Sequence, residues 1–237
     1  MAQSKREPLV RPTQYVEKYL VTAFLDGTYA PGSVLPSERV LANEIGVTRP
    51  TLRETLQRLA NEGWITIHQG RSTVVNTFWW EGGLSLLSTI AKYGEHLPEE
   101  LIDYLLEVRV MLLPLVAKLA VEKNPDRFRE HLAAAEDLPD DPAAFGEYDW
   151  QLHELMARCS ENPIFALILN DFKSIFYTLA VVFFSLEVGR DISRLYYKEF
   201  SIALQEGSDS VEKVVREAME KSKSMLREIK LLSPEQH

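Results

Sequence analysis

Apolar residues recur at helical spacing from about residue 13 to 25, at Tyr15, Val16, Tyr19, Leu20 and Phe24, and the run DGTYAPG then breaks the pattern. PSERVLANEIG reads as a second helix, opened by Pro36 and Ser37 and stopped by Gly46. Thr48 can cap a third. Its first turn accepts Pro50, because early helix amides have no intrahelical partner, and Gly63 should terminate it just after Asn61. WITIH and RSTVV then flank HQGR as two short β-type runs. Helix, helix, turn, helix, hairpin is the order of a winged helix-turn-helix.

From Phe78 onward strand signals vanish. Helical patterns occupy about 82–92, 98–122, 126–135, 143–160, 163–187, 191–205 and 210–231, separated by KNPD, DLPDDP, SENP, VGR and EGSD. Short loops between helices predict antiparallel neighbours. The expected architecture is mainly α: a winged helix-turn-helix over residues 1–77, joined through NTFWWEGG to an all-α antiparallel ligand-binding domain over 78–237.

Charge sharpens this division. The chain carries −9 overall, but residues 1–76 hold nine Lys/Arg against seven Asp/Glu, and residues 77–237 hold seventeen against twenty-eight. An acidic second part would repel phosphate, which leaves the first part as the surface for nucleic acid. Hydrophobic residues, at 46%, can fill a core. The single cysteine, Cys159, permits no internal disulfide and fits a reducing cytosol. Uninterrupted apolar runs such as LAVVFF at 179–184 fall short of a bilayer span, and the polar N-terminus has no signal-peptide core. A soluble, cytoplasmic protein without membrane contact is expected.

In the third helix Leu52, Leu56 and Leu59 form one apolar ridge, and Arg49, Arg53 and Gln57, four apart, form another face. A helix that buries its leucines turns the second face outward. Arg and Gln are the side chains that read guanine and adenine edges bidentately, while Thr48 and Thr51 can bond phosphate near the helix N-terminus. The bland alternative is a solvated face with Glu54 and Arg58 as an i,i+4 pair. Gly70 and Arg71 would form the wing tip. Arg39 is either a phosphate contact or a partner of Glu38 or Glu44.

The segment LPSERVLANEIGVTRPTLRETLQRLANEGWITIHQGR resembles the GntR family of bacterial winged-helix regulators. NTFWWEGGLSLLSTIA, ELIDYLLEVRVML and SENPIFALILNDFKSIF extend the resemblance, over nearly the whole chain, to the fatty-acid-responsive FadR branch. The resemblance implies a homodimeric transcription regulator, repressor and activator of fatty acid metabolism, on a pseudo-palindromic double-stranded DNA operator. It implies release from DNA by long-chain acyl-CoA as effector, through a change in the spacing of the DNA heads, with no cofactor. Carried over by position, the DNA contacts are Arg39, Thr48, Arg49, Thr51, Arg53, Gly70 and Arg71. Pro50 replaces a threonine, and the wing reads His68-Gln69 where the branch reads Gln-His, so Gln69 becomes the expected minor-groove contact.

Two effector chemistries compete for the second domain. A metal-binding branch of the family chelates organic acids with one Asp and three His. Asp149 and His153 share a helix face, but Tyr197 and Met219 stand where further histidines belong, and two protein ligands do not make a tight site. No metal is therefore expected, and His153 reads as a hydrogen-bonded core residue. Acyl-CoA needs an apolar tunnel with a few polar anchors. Leu105, Leu112, Phe172, Phe176, Leu179, Phe183 and Phe184 supply apolar surface. Arg109, set in an apolar helix, needs a partner, either a ligand or Asp149. Arg109, Tyr197 and Ser222 match ligand positions of the FadR branch, whereas Met219 and Leu226 replace its glycine and tryptophan. Lys221, Lys223, Arg227 and Lys230 could meet CoA phosphates or merely solvate the surface. The chain has no Gly-rich phosphate loop or nucleophile motif, so an enzyme is not expected.

Overall fold

The computed structural model describes residues 11–68, 70–93 and 99–232. The chain forms two compact units, Met1–Glu95 and His96–His237.

In the first unit, α1 (Pro12–Leu25), α2 (Glu38–Ile45) and α3 (Arg49–Glu62) precede a hairpin of β1 (Ile65–Thr66) and β2 (Val74–Val75). The strands are antiparallel with Ile65 opposite Val75 and Thr66 opposite Val74, much shorter than the runs read from sequence. Backbone bonds extend the pairing, from Asn76 N to the Trp64 carbonyl (2.9 Å) and between residues 32–35 and 73–75, and side chains add to it. Asn76 Nδ2 donates to the Gly63 carbonyl (2.9 Å), and Thr66 Oγ1 to Asn76 Oδ1 (2.7 Å). The core is aromatic at its centre: Trp64, fully buried, lies between Phe24 (5.8 Å) and Phe78 (4.9 Å). Val16, Leu20 and Phe24 of α1 are buried, while Tyr15 stays half exposed at 51%.

Past the hairpin this compact unit takes in further residues. After a one-turn α4 (Phe78–Glu81), α5 (Ser85–Tyr93) packs on α1. Two carboxylates fix it. Glu17, 4% exposed, accepts from Lys92 Nζ (3.1 Å) and Tyr93 Oη and pairs with Arg58 of α3 (3.3 Å); Glu62 accepts from Thr89 Oγ1 (2.8 Å) and Trp64 Nε1 (3.2 Å). Arg58, read from sequence as a possible partner of Glu54, is thus placed against the buried Glu17 of α1.

The second unit is all α: α6 (Glu99–Lys123), α7 (Pro125–Ala133), a 3-10 turn (Ala134–Asp137), α8 (Pro142–Cys159), α9 (Pro163–Ser185), α10 (Glu187–Glu206) and α11 (Ser208–Leu232). Asp141 and Asn162 cap α8 and α9, each followed by a proline. α11 packs along α6 and α10, and α8 along α6 and α9. α9 contains the longest apolar stretches of this unit. Counted as a helix rather than as an apolar run, it is long and apolar enough to cross a bilayer (23 residues, mean hydropathy 1.6). Its composition has another use: Phe172, Phe176, Leu179 and Phe183 line an internal cavity.

Candidate functional site

In the first unit the sequence places its cations as a helix must. Leu52, Leu56 and Leu59 are buried, so Arg49, Arg53 and Gln57 on the opposite side of α3 are exposed. Thr48 caps the helix, accepting from Thr51 N (3.4 Å), and the two threonine hydroxyls hydrogen-bond each other (2.9 Å). Arg39, Gly70 and Arg71 are exposed; Gly70 has φ 71°, the left-handed turn that a hairpin tip needs. Gln69 lies outside the described residues. Glu38 binds Arg53 rather than its neighbour Arg39, with Nε donating to Oε1 at 3.2 Å and Nη2 to Oε2. These bonds hold the Glu38 carboxyl below the usual carboxylate range.

In the second unit a cavity opens between α6, α8, α9, α10 and α11, with about 1170 Å³ of empty space when the open solvent at its mouth is included. All seven apolar residues singled out in the sequence line it. One polar cluster interrupts the apolar wall. Arg109 donates through Nη1 to Ser222 Oγ (3.2 Å) and pairs through Nη2 with Asp149 Oδ2 (3.6 Å). Tyr197 donates to Asp149 Oδ1 (3.2 Å) from behind. Tyr197 itself does not line the cavity, and its neighbour Tyr196 does.

Three buried polar atoms of this cluster have no hydrogen-bond partner in the protein: Arg109 Nε, His153 Nε2 and Tyr196 Oη. This corrects the expectation of a hydrogen-bonded His153, whose Nε2 is 3.9 Å from Asp149 Oδ2. Burial lowers the His153 pKa to about 4, outweighing the Asp149 charge that raises it, so the imidazole is neutral. Unpaired buried polar groups cost free energy, and a ligand that bonds them recovers it. Among the described residues, no three His, Cys, Asp or Glu side chains gather as a metal would require.

Residues 12–75 match the family described as bacterial regulatory proteins, gntR family, and residues 76–237 match the FadR C-terminal domain. The chain belongs to the GntR family. Within it, the chain is 39% identical over 206 residues to the fatty acid metabolism regulator protein of Cronobacter sakazakii, covering 86% of each. It is 41% identical over 191 residues to the protein of that name in Shewanella oneidensis, covering 81% of this chain and 80% of that one. Among solved structures, Lar, described as controlling expression of the Listeria monocytogenes agr system, shares the fold. It has a TM-score of 0.62 at 16% identity and covers 94% of this chain and 100% of that one.

Met219 and Leu226 line the cavity. Of the cations on α11 that could meet phosphate, Lys223 pairs with Glu107 (3.6 Å), and Arg227 with Asp103 (2.8 Å) and Glu107 (3.6 Å); Lys221 is exposed, and the Lys230 side chain lies outside the described residues. Sequence reasoning missed Glu38 and Tyr196. The spacing from Glu38 to Arg53, fifteen residues across a turn, has no local signature, and nothing in the sequence marked Tyr196, rather than its buried neighbour Tyr197, as the residue lining the cavity.

Proposed function

We propose that this protein is a homodimeric transcription regulator of fatty acid metabolism, which binds an operator through its winged heads and is released when long-chain acyl-CoA enters the helical body. The observation that carries the effector half is the cavity: an apolar enclosure with one polar cluster, at Arg109, whose unpaired donors await a polar group. A fatty acyl chain fills the apolar part, and its thioester end supplies the acceptor for Arg109 and Tyr196. The exposed cationic flank of α3, with Arg39 and Arg71, supports DNA binding; Arg49 and Arg53 read base edges, and Thr48 and Thr51 meet phosphate. The relatives' printed names, fatty acid metabolism regulator protein, support the physiological setting.

Release requires that the ligand prefer the DNA-incompetent arrangement, and a swing from 1:99 to 99:1 takes about 5.5 kcal/mol of preference. A homodimer is supported by Tyr104, Met111 and Leu115, exposed apolar residues spaced seven and four along α6. The test is a DNA-binding titration of the whole protein with and without oleoyl-CoA. Loss of binding at micromolar ligand is expected, and Arg109→Ala should blunt that response while leaving ligand-free binding intact. Binding that persists at saturating oleoyl-CoA overturns the effector assignment, and absence of any sequence-selective duplex binding overturns the DNA assignment.

A further inference from the structure

Glu38 is an unexpected residue on a surface meant for phosphate. It is a carboxylate on the first turn of α2, beside the recognition face of α3, where its own charge would repel DNA. Its partner Arg53 is 68% exposed, and pairs this exposed add little to stability. What the pair does is geometric. A guanidinium offers a side edge, Nε with one Nη, and an end edge made by the two Nη groups. Glu38 occupies the side edge through Nε and Nη2, which leaves the end edge of Nη1 and Nη2 open to a further acceptor on a side chain that is largely exposed. A free end edge is the fork that grips O6 and N7 of guanine. The carboxylate is itself anchored, since it stands at the N-terminus of a separate helix whose dipole favours it.

We propose that Glu38 is a positioning residue for base recognition, which clamps Arg53 side-on so that its end edge meets a guanine in the major groove. This rests on the DNA-binding reading above. It gives Glu38 an effect opposite to that of a merely repulsive charge: removing it costs discrimination and leaves non-specific binding unchanged or stronger.

The experiment uses the full chain and a duplex selected in vitro by the wild-type protein. Each guanine in that duplex is replaced singly by 7-deazaguanine, which lacks the N7 acceptor. At the guanine read by Arg53, wild type should lose about tenfold or more in affinity on this replacement, and Arg53→Ala should lose almost nothing. Glu38→Ala should shrink the wild-type penalty at that same guanine and no other, with binding to a random duplex unchanged or tighter. The double variant should match Arg53→Ala. Circular dichroism of each variant verifies the fold. A full penalty retained in Glu38→Ala, or equal tightening on both duplexes, overturns the proposal. If Arg53→Ala keeps every guanine preference, the proposal falls while DNA binding stands; if wild type selects no duplex, both fall.

Discussion

Arg49 is the first residue of α3, exposed on the flank opposite the buried leucine ridge. Arg49→Ala should weaken specific DNA binding by about 1–3 kcal/mol and relax base preference, measurable by gel shift across operator variants. His153 gives a pH dependence of folding. Its folded pKa, about 4, lies below the ordinary value near 6.5, so the unfolded state binds more protons between these limits. The stabilisation is present above pH ~6.5 and is lost as pH falls toward ~4, by up to about 3 kcal/mol. Burial lowers the His131 pKa too, so it contributes in the same direction. Urea melts at several pH values should show the decline, and His153→Phe should flatten part of it. At this scale the exposed cations were legible in the sequence, because helix periodicity alone decides which side of α3 faces out. Their partners were not: Arg58 with Glu17 and Arg53 with Glu38 join residues of different helices.

Among the elements, the corner between α9 and α10 shows where local signals mislead. VGR reads as a helix breaker, yet the helices meet at Leu186 and Gly189 lies within the first turn of α10. The glycine serves close approach rather than termination. A Cβ there would sit 2.1 Å from the Phe183 carbonyl oxygen, on the strand of backbone that carries a cavity residue. Gly189→Ala should therefore destabilise by about 1–3 kcal/mol, read from denaturant midpoints, through forced displacement of backbone. The start of α3 was fully legible by contrast, since Thr48, Pro50 and the leucine spacing all act within a few residues. α5 was legible as a helix but its contacts were not, because the buried Glu17 and half-buried Glu62 that hold it lie far back in sequence.

For the molecule as a whole, the cavity could be foreseen in composition but not in shape. A surplus of Phe and Leu in α9 is equally consistent with solid core, and only the packed helices reveal empty space beside Arg109. The exposed ridge of α6 belongs to this scale too. Met111 is 65% exposed, so Met111→Glu should leave the fold intact while shifting a dimer toward monomer in sedimentation velocity, with operator affinity falling accordingly. Retained dimer would place the subunit contact elsewhere.

Trp150 lies in the cavity wall, 1% exposed, with Lys173 over its ring at 5.2 Å and Phe176 at 5.1 Å. Trp80, in the other unit, is 88% exposed. The chain thus carries its own optical probe: a ligand entering the cavity should perturb the shielded indole emission of Trp150, while an aqueous quencher silences Trp80 and leaves buried Trp64 and Trp150 as the shielded emitters. Occupancy can be followed without labelling, in the same cuvette as the operator titration.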